Sequence, residues 1–241
     1  MTPSIAISVA TSAWRGPCDL NPTLSAHAPA TSNGLLVIRY LGLCAYETIW
    51  QAMRDFTDAR DAETPDELWL LQHPAIYTLG QAGRWEHLLD AGRIPVLKVD
   101  RGGQVTYHGP GQLIAYLLLD LKRAGLGVKG LVHLLETTVI DILATQGVLA
   151  QVRPNAPGVY VAGAKIASLG LRVRRHCSYH GLALNVNLDL EPFSRINPCG
   201  YPGLAVTRLV DLGVELSLDK IAEQLASRLA ARLERVAILQ T

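Results

Sequence analysis

The sequence predicts an α+β protein, with mixed β-sheets and helices packed on them. Short apolar runs of strand length are interleaved with longer segments in which apolar residues recur every three to four positions. The order lacks the regular strand–helix–strand period of a doubly wound sheet, and three strand-like runs follow one another directly between Val159 and Asn187. With 241 residues and 49% apolar content, the chain can bury a sizeable core as one compact unit.

In chain order, the first stretch, Met1 to about Asn33, is rich in Ser, Thr, Ala and Pro and nearly uncharged. Its apolar run Ile5–Ala10 is short, broken by Ser8 and preceded by no basic segment, a poor match to a signal peptide. The boundaries expected are therefore an irregular extension over 1–34 and a single domain over 35–241. Leu35–Tyr40 reads as a strand. Leu43, Tyr46, Ile49, Trp50, Met53 and Phe56 then mark an amphipathic helix. Leu68–Gln72 and Ile76–Leu79 are strands flanking His73-Pro74, Val96–Val99 is another, and Gln112–Leu119 reads as a buried strand. Lys129–Gln146 is a second helix, with Leu131, Leu134, Leu135, Thr138 and Ile142 on one stripe and Gly147 ending it. Val159–Ala162, Lys165–Arg175 and Tyr179–Asn187 form the β-rich block. Ser217 caps a last helix with Ile221, Leu225, Leu229 and Leu233 facing inward.

Charge narrows the function classes. Lys+Arg number 22 against 21 Asp+Glu, a net +1 that gives no electrostatic reason to expect nucleic acid. No segment approaches the roughly 20 uninterrupted apolar residues that span a bilayer. The four cysteines, Cys18, Cys44, Cys177 and Cys199, form no CxxC pair, so a reducing, cytoplasmic setting is expected. Cys44 is read as a core residue in the first helical pattern, and Cys18 as part of the irregular extension.

Four stretches could carry chemistry. RGGQVTYHGPG, Arg101–Gly111, is either a plain glycine-rich turn or a loop that brings backbone close to a ligand. It matches neither a Walker loop nor GxGxxG. GAKIASLG, Gly163–Gly170, sets Lys165, one of five lysines, among small and apolar residues. The lysine either faces solvent on an edge strand or is held desolvated, where a neighbouring thiolate would restore its charge. RINPCGYPG, Arg195–Gly203, puts Cys199 in a turn, where it is either incidental or a nucleophile activated by a cation. In His176-Cys177-Ser178-Tyr179-His180, strand alternation turns Cys177 away from His180 and no second cluster supplies further ligands. No metal is expected there, and His180 either lines a site or makes a structural hydrogen bond.

Read together and in order, RGGQVTYHGPGQL, GVYVAGAKIASLGLRVRR and YHGLALNVNLDLEPFSRINPCG, with HPAIYTLG upstream, closely resemble the lipoyl(octanoyl) transferases over roughly Leu35 to Leu216. The resemblance implies the catalytic-domain fold shared with biotin and lipoate protein ligases. It also implies transfer of an octanoyl chain from acyl carrier protein to a lysine of lipoyl domains, in 2-oxoacid dehydrogenase complexes and the glycine cleavage H protein. It implies no cofactor. Cys199 matches the acyl-thioester nucleophile and Lys165 the lysine that activates it. Arg101, Gly102, Gly103, Gln104, Val105, Thr106, Tyr107 and His108 match the main substrate-binding loop. Ser168, Leu169 and Gly170, with Gly181, Leu182 and Ala183, match two shorter lining segments. Gln72 and His176-Cys177 depart from the family pattern, and residues 1–34 lie outside it.

The chemistry suits these residues. Cysteine exchanges thioesters at little cost and keeps the acyl group activated. Small residues flanking Lys165, at Gly163, Ala164 and Ala167, would let the acyl-carrier arm or the acyl chain lie close, and backbone N–H groups around Gly200 or the Gly102-Gly103 pair are the candidate oxyanion donors, a choice the sequence leaves open. A monomer is the default. The competing readings are an ATP-dependent lipoate ligase, against which Cys199 and the missing GRGRxG speak, and a non-catalytic lipoyl-domain binder.

Overall fold

The computed structural model describes Cys18 and residues 34–240; the expectations for the extension and its Ile5–Ala10 run lie outside these residues. The strands are β1 (Leu35–Leu43), β2 (Asp66–Gln72), β3 (Ile76–Leu79), β4 (Val96–Lys98), β5 (Val105–His108), β6 (Gln112–Leu118), β7 (Gly158–Val161), β8 (Ala164–Arg174), β9 (Cys177–Asn185) and β10 (Val236–Gln240). The helices are α1 (Tyr46–Ala59), α2 (Val128–Ala144) and α3 (Leu218–Arg232). A seven-stranded sheet runs β10-β1-β2-β6-β9-β8-β7, and a three-stranded sheet runs β4-β3-β5. β1 pairs parallel with β10 and β2, and β4 parallel with β3; the remaining ladders are antiparallel, so both sheets are mixed as expected.

Period-two alternation explains the layers. Leu68 and Leu70 of β2, Leu113, Ala115 and Leu117 of β6, and Leu182 and Leu184 of β9 face a core closed by α2 and α3. Trp69, Leu71, Ile114, Tyr116, Leu118, Tyr179 and Ala183 face the other side, where Ile49 and Met53 of α1 cover them. Burial on both faces is why β6 reads as an unbroken apolar run. Beside that second face the small sheet builds its own cluster from Tyr77, Leu79, Val105, Tyr107 and Phe193. α3 is capped as its sequence predicts, the Ser217 hydroxyl accepting from Lys220 N–H, but it ends at Arg232, and Leu233 packs only half-buried from the cap position.

Two strands escape the sequence pattern. β5 is only four residues long and sits among glycines, and β10 follows α3 directly to pair with the edge of β1. Cys44 is a buried core residue as expected, but its helical placement and free thiol are corrected. Cys44 lies in the link between β1 and α1 rather than in a helix, and it is joined to Cys18 in a disulfide; Cys177 and Cys199 are free.

Candidate active site

Cys199 sits in a 3-10 turn, Pro198–Gly200, with φ 57° and ψ 17°. This left-handed backbone is costly for a side chain with a Cβ, and it is held because Asn197 N–H donates to the His87 carbonyl (2.8 Å) and Gly200 N–H to the Asn197 carbonyl (2.9 Å). The segment after the turn is stitched along β8: Lys165 N–H donates to Ala205 O (2.8 Å) and Thr207 N–H to Lys165 O (3.0 Å). Thirty-four positions of sequence are thereby closed, and Lys165 Nζ lies 3.0 Å from Cys199 Sγ. The same ammonium donates to Pro157 O at 2.9 Å and stands 5.3 Å from the Tyr160 ring centroid. Lys165 is 2% exposed. Burial works to lower its pKa, but the charge of a Cys199 thiolate and its hydrogen bond, aided by Tyr160, outweigh that and raise it.

Gly158 makes room for this lysine. With φ +138°, it sits where a Cβ would come 2.3 Å from Lys165 Cε and 2.6 Å from Ala167 O.

From Cys199 a slot of about 460 Å³, including its open mouth, runs between the two sheets. Its floor follows the strand register: Ser168, Ala183 and Ile114 form one level, Gly170, Gly181 and Tyr116 the next. Glycine is needed at the second level, where a Cβ on Gly181 would meet the Ala115 carbonyl oxygen at 2.0 Å and one on Gly170 would meet Arg101 Cδ at 3.0 Å. Thr106 and His108 of β5 and Tyr46 of α1 line the slot from other elements.

Buried polar groups surround the slot. His73 contacts the Cys44 carbonyl (2.7 Å) and Tyr116 Oη (2.8 Å), and His108 Nδ1 lies 2.8 Å from Gln112 Oε1. Burial pushes His73 down to about 4 and His108 well below the ordinary histidine value. The Asp100 carboxylate accepts from Trp50 Nε1 (2.7 Å), Tyr179 Oη (2.5 Å) and His180 Nε2 (3.1 Å). Burial alone would raise Asp100, but those donors hold its carboxyl far below the usual range. His180 is itself lowered, chiefly by burial; it is strained at φ 63°, and its Nδ1 finds no hydrogen-bond partner among the described residues. Among the described residues no group of three His, Cys, Asp or Glu could hold a metal ion.

Residues 45–230 match the model of the lipoyl protein ligase A/B catalytic domain. The chain belongs to that family. Within the lipoyl protein ligase A/B family it is similar to proteins named octanoyltransferase, and with them it is an acyltransferase. The one from Alkalilimnicola ehrlichii is 63% identical over 189 residues, covering 78% of this chain and 88% of that relative. The one from Laribacter hongkongensis is 58% identical over 198 residues, covering 82% and 96%. Among solved structures, lipoate-protein ligase A bound with ATP superposes with a TM-score of 0.67 at 16% identity, covering 86% of this chain and 89% of the other. The bipartite lipoate protein ligase of Thermoplasma acidophilum gives 0.66 at 17%, covering 86% and 87%. At such identities these two structures speak for the fold, which is the one the resemblance implied.

In this lipoyl protein ligase A/B domain, the structure gathers most of the residues singled out from sequence. Cys199 and Lys165 touch. Arg101, Gln104, Val105, Thr106 and His108 line the slot, as do Ser168, Leu169, Gly170, Gly181, Leu182 and Ala183. Gly102, Gly103 and Tyr107 are not on its wall. Tyr107 points to the opposite side of β5, against Tyr77 and Phe193, because strand neighbours alternate. The Arg101 guanidinium is occupied with holding its loop to β3, donating to the carbonyls of Thr78 (2.7 Å) and Gln104 (2.9 Å).

Three expectations need correction. For the acyl chain, neither Gly163, Ala164 nor Ala167 is among the slot's lining residues: Ala167 packs into the helix-covered core and Gly163 lines a second cleft. The Gly200 and Gly102 amides already donate to Asn197 O and Leu171 O, which removes them as ready oxyanion donors. Tyr46, Ile114 and Tyr116 were read only as core, since their helical and strand periodicity gives no hint that a slot opens beside them.

Proposed function

We propose that this chain transfers an octanoyl group from octanoyl-acyl carrier protein to a lysine of lipoyl domains through a thioester on Cys199, as a step of lipoate biosynthesis. The observation that carries the reading is the 3.0 Å contact between Lys165 Nζ and Cys199 Sγ at an apolar slot. Relatives named octanoyltransferase, up to 63% identical, support the choice of acyl group. Residues 35–241 act as one catalytic domain, monomeric and cytoplasmic. The acceptors are the lipoyl domains of 2-oxoacid dehydrogenase complexes and the glycine cleavage H protein.

In the first half-reaction the Cys199 thiolate attacks the donor carbonyl carbon. The new Sγ–C bond replaces the donor's S–C bond, and the departing thiolate takes a proton from the Lys165 ammonium. Acylation removes the negative charge that held that proton, so Lys165 is left neutral. It then accepts a proton from the acceptor lysine's amine as that nitrogen attacks the thioester carbonyl. An amide forms, the Sγ–C bond breaks, and the ammonium–thiolate pair is restored. Each buried CH₂ of the chain contributes about 0.8 kcal/mol to holding the acyl group in the slot.

Intact mass after mixing with octanoyl-acyl carrier protein, without ATP, tests this. Wild type should gain one octanoyl group, and Cys199→Ala none. Lys165→Met should slow both half-reactions by ~10²–10⁴. An adduct that survives in Cys199→Ala, or modification of a lipoyl domain that needs ATP and free octanoate, would overturn the reading.

A further inference from the structure

A second cleft, about 670 Å³ including open space, lies beyond the Lys165–Cys199 contact. Its walls are Arg153, Tyr160 and Gly163 on one side and Tyr201–Ala205, the segment that follows Cys199, on the other. Cys199 itself lines the inner slot, whereas Tyr160, whose ring centroid is 5.3 Å from Lys165 Nζ, lines the outer cleft. Cys199 therefore opens on the slot, and the Tyr160 ring over Lys165 Nζ forms part of the wall of the outer cleft. A thioester has two halves to place. The inner slot, floored by small and apolar side chains, suits the hydrocarbon half, which leaves the outer cleft for the half that departs.

The outer cleft differs from the slot in carrying an uncommitted cation. Arg153 Nη2 donates to Gly163 O at 2.8 Å, and the guanidinium stacks over Tyr160 at 4.4 Å. Among the described residues it makes no other hydrogen bond and no ion pair, so most of its five N–H donors are free for a planar, two-pronged contact. The contacts Cys199–Lys165 (3.0 Å), Lys165–Tyr160 ring (5.3 Å) and Tyr160 ring–Arg153 (4.4 Å) link the thiol to the guanidinium in three short steps, a span that a pantetheine arm ending in a phosphate covers.

Resting on the acyl-transfer reading, we propose that this cleft binds the leaving arm of the donor, a pantetheine-type chain whose phosphate pairs with Arg153. The assignment explains why the loop after Cys199 is fixed along β8: it forms a wall for the arm as well as a mount for the thiol.

The test compares octanoyl-pantetheine with octanoyl-4′-phosphopantetheine as donors to the full-length protein, reading Cys199 acylation by intact mass over a concentration series. Wild type should half-saturate at least about tenfold lower with the phosphorylated thioester, as a charge-assisted pair predicts. Arg153→Gln should abolish that preference, and Arg153→Lys should restore part of it. Equal half-saturation in wild type, a preference that survives in Arg153→Gln, or a defect confined to deacylation by the acceptor lysine would overturn the assignment and leave acyl transfer standing. If neither thioester acylates Cys199, the acyl-transfer reading falls and takes this inference with it.

Discussion

Lys165 owes its position to Gly158, a residue with no functional group. A Cβ there would overlap Lys165 Cε at 2.3 Å and press on Ala167 O at 2.6 Å, and the φ of +138° is itself poor for any other residue. Gly158→Ala should therefore push Nζ away from Cys199 Sγ and cut Cys199 acylation by tenfold or more, as about 1 Å of misplacement does at a reacting centre. Acylation rates measured beside the thermal midpoint check this, since a variant that merely unfolds loses both together. Cys199 and His180 show the related cost of holding a Cβ-bearing residue at positive φ, 57° and 63°, on the slot wall. Sequence flagged Cys199 by its Pro-Cys-Gly setting, but a slot and a second cleft have no local signature. Neither Gly158 nor Arg153 carries such a setting in the sequence.

At the scale of elements, the floor of the slot is a seam between β6, β9 and β8 that stays thin because Gly181 pairs with Tyr116 on one side and Gly170 on the other. Gly181→Ala would set a Cβ 2.0 Å from the Ala115 carbonyl oxygen, a backbone atom of the neighbouring strand that cannot swing aside. Overpacking of this kind costs about 1–3 kcal/mol, so urea unfolding should show a lower midpoint for this variant. The same elements show what patterning can reveal. β2 and β6 were legible because runs buried on both faces are nearly continuous in apolar residues, and α2 and α3 because their stripes repeat at helical spacing. β5 was not, because its four residues Val105–His108 send Tyr107 to one cluster and Thr106 and His108 to the slot, with Val105 touching both, a split invisible inside a glycine-rich loop.

Across the whole molecule, the histidines around the slot make stability depend on pH. His73 is lowered to about 4, and His108 and His180 lie below their ordinary value, all chiefly by burial. Tyr46, Tyr116 and Arg101 stand around them, and Asp100 remains ionised throughout the relevant range. Because the folded-state values are depressed, the unfolded chain binds protons that the folded chain refuses. Stability is thus fully present above about pH 6.5 and falls as pH drops toward 4, by about 3 kcal/mol from His73 alone. Denaturant midpoints measured across pH 4–7 should decline toward acid, and a flat profile would contradict neutral burial of these rings. By itself the sequence determined the class of fold and the order of most elements, because burial periodicity is written locally in the chain, and its resemblance to a family pointed to the two residues that meet at the site. Only the tertiary structure decided which faces of Thr106, Tyr107 and His108 reach the slot, that Cys18 pairs with Cys44, and that an arginine waits outside the thiol. Those outcomes depend on strand register and on distances between residues far apart in number, which packing sets and local sequence does not encode.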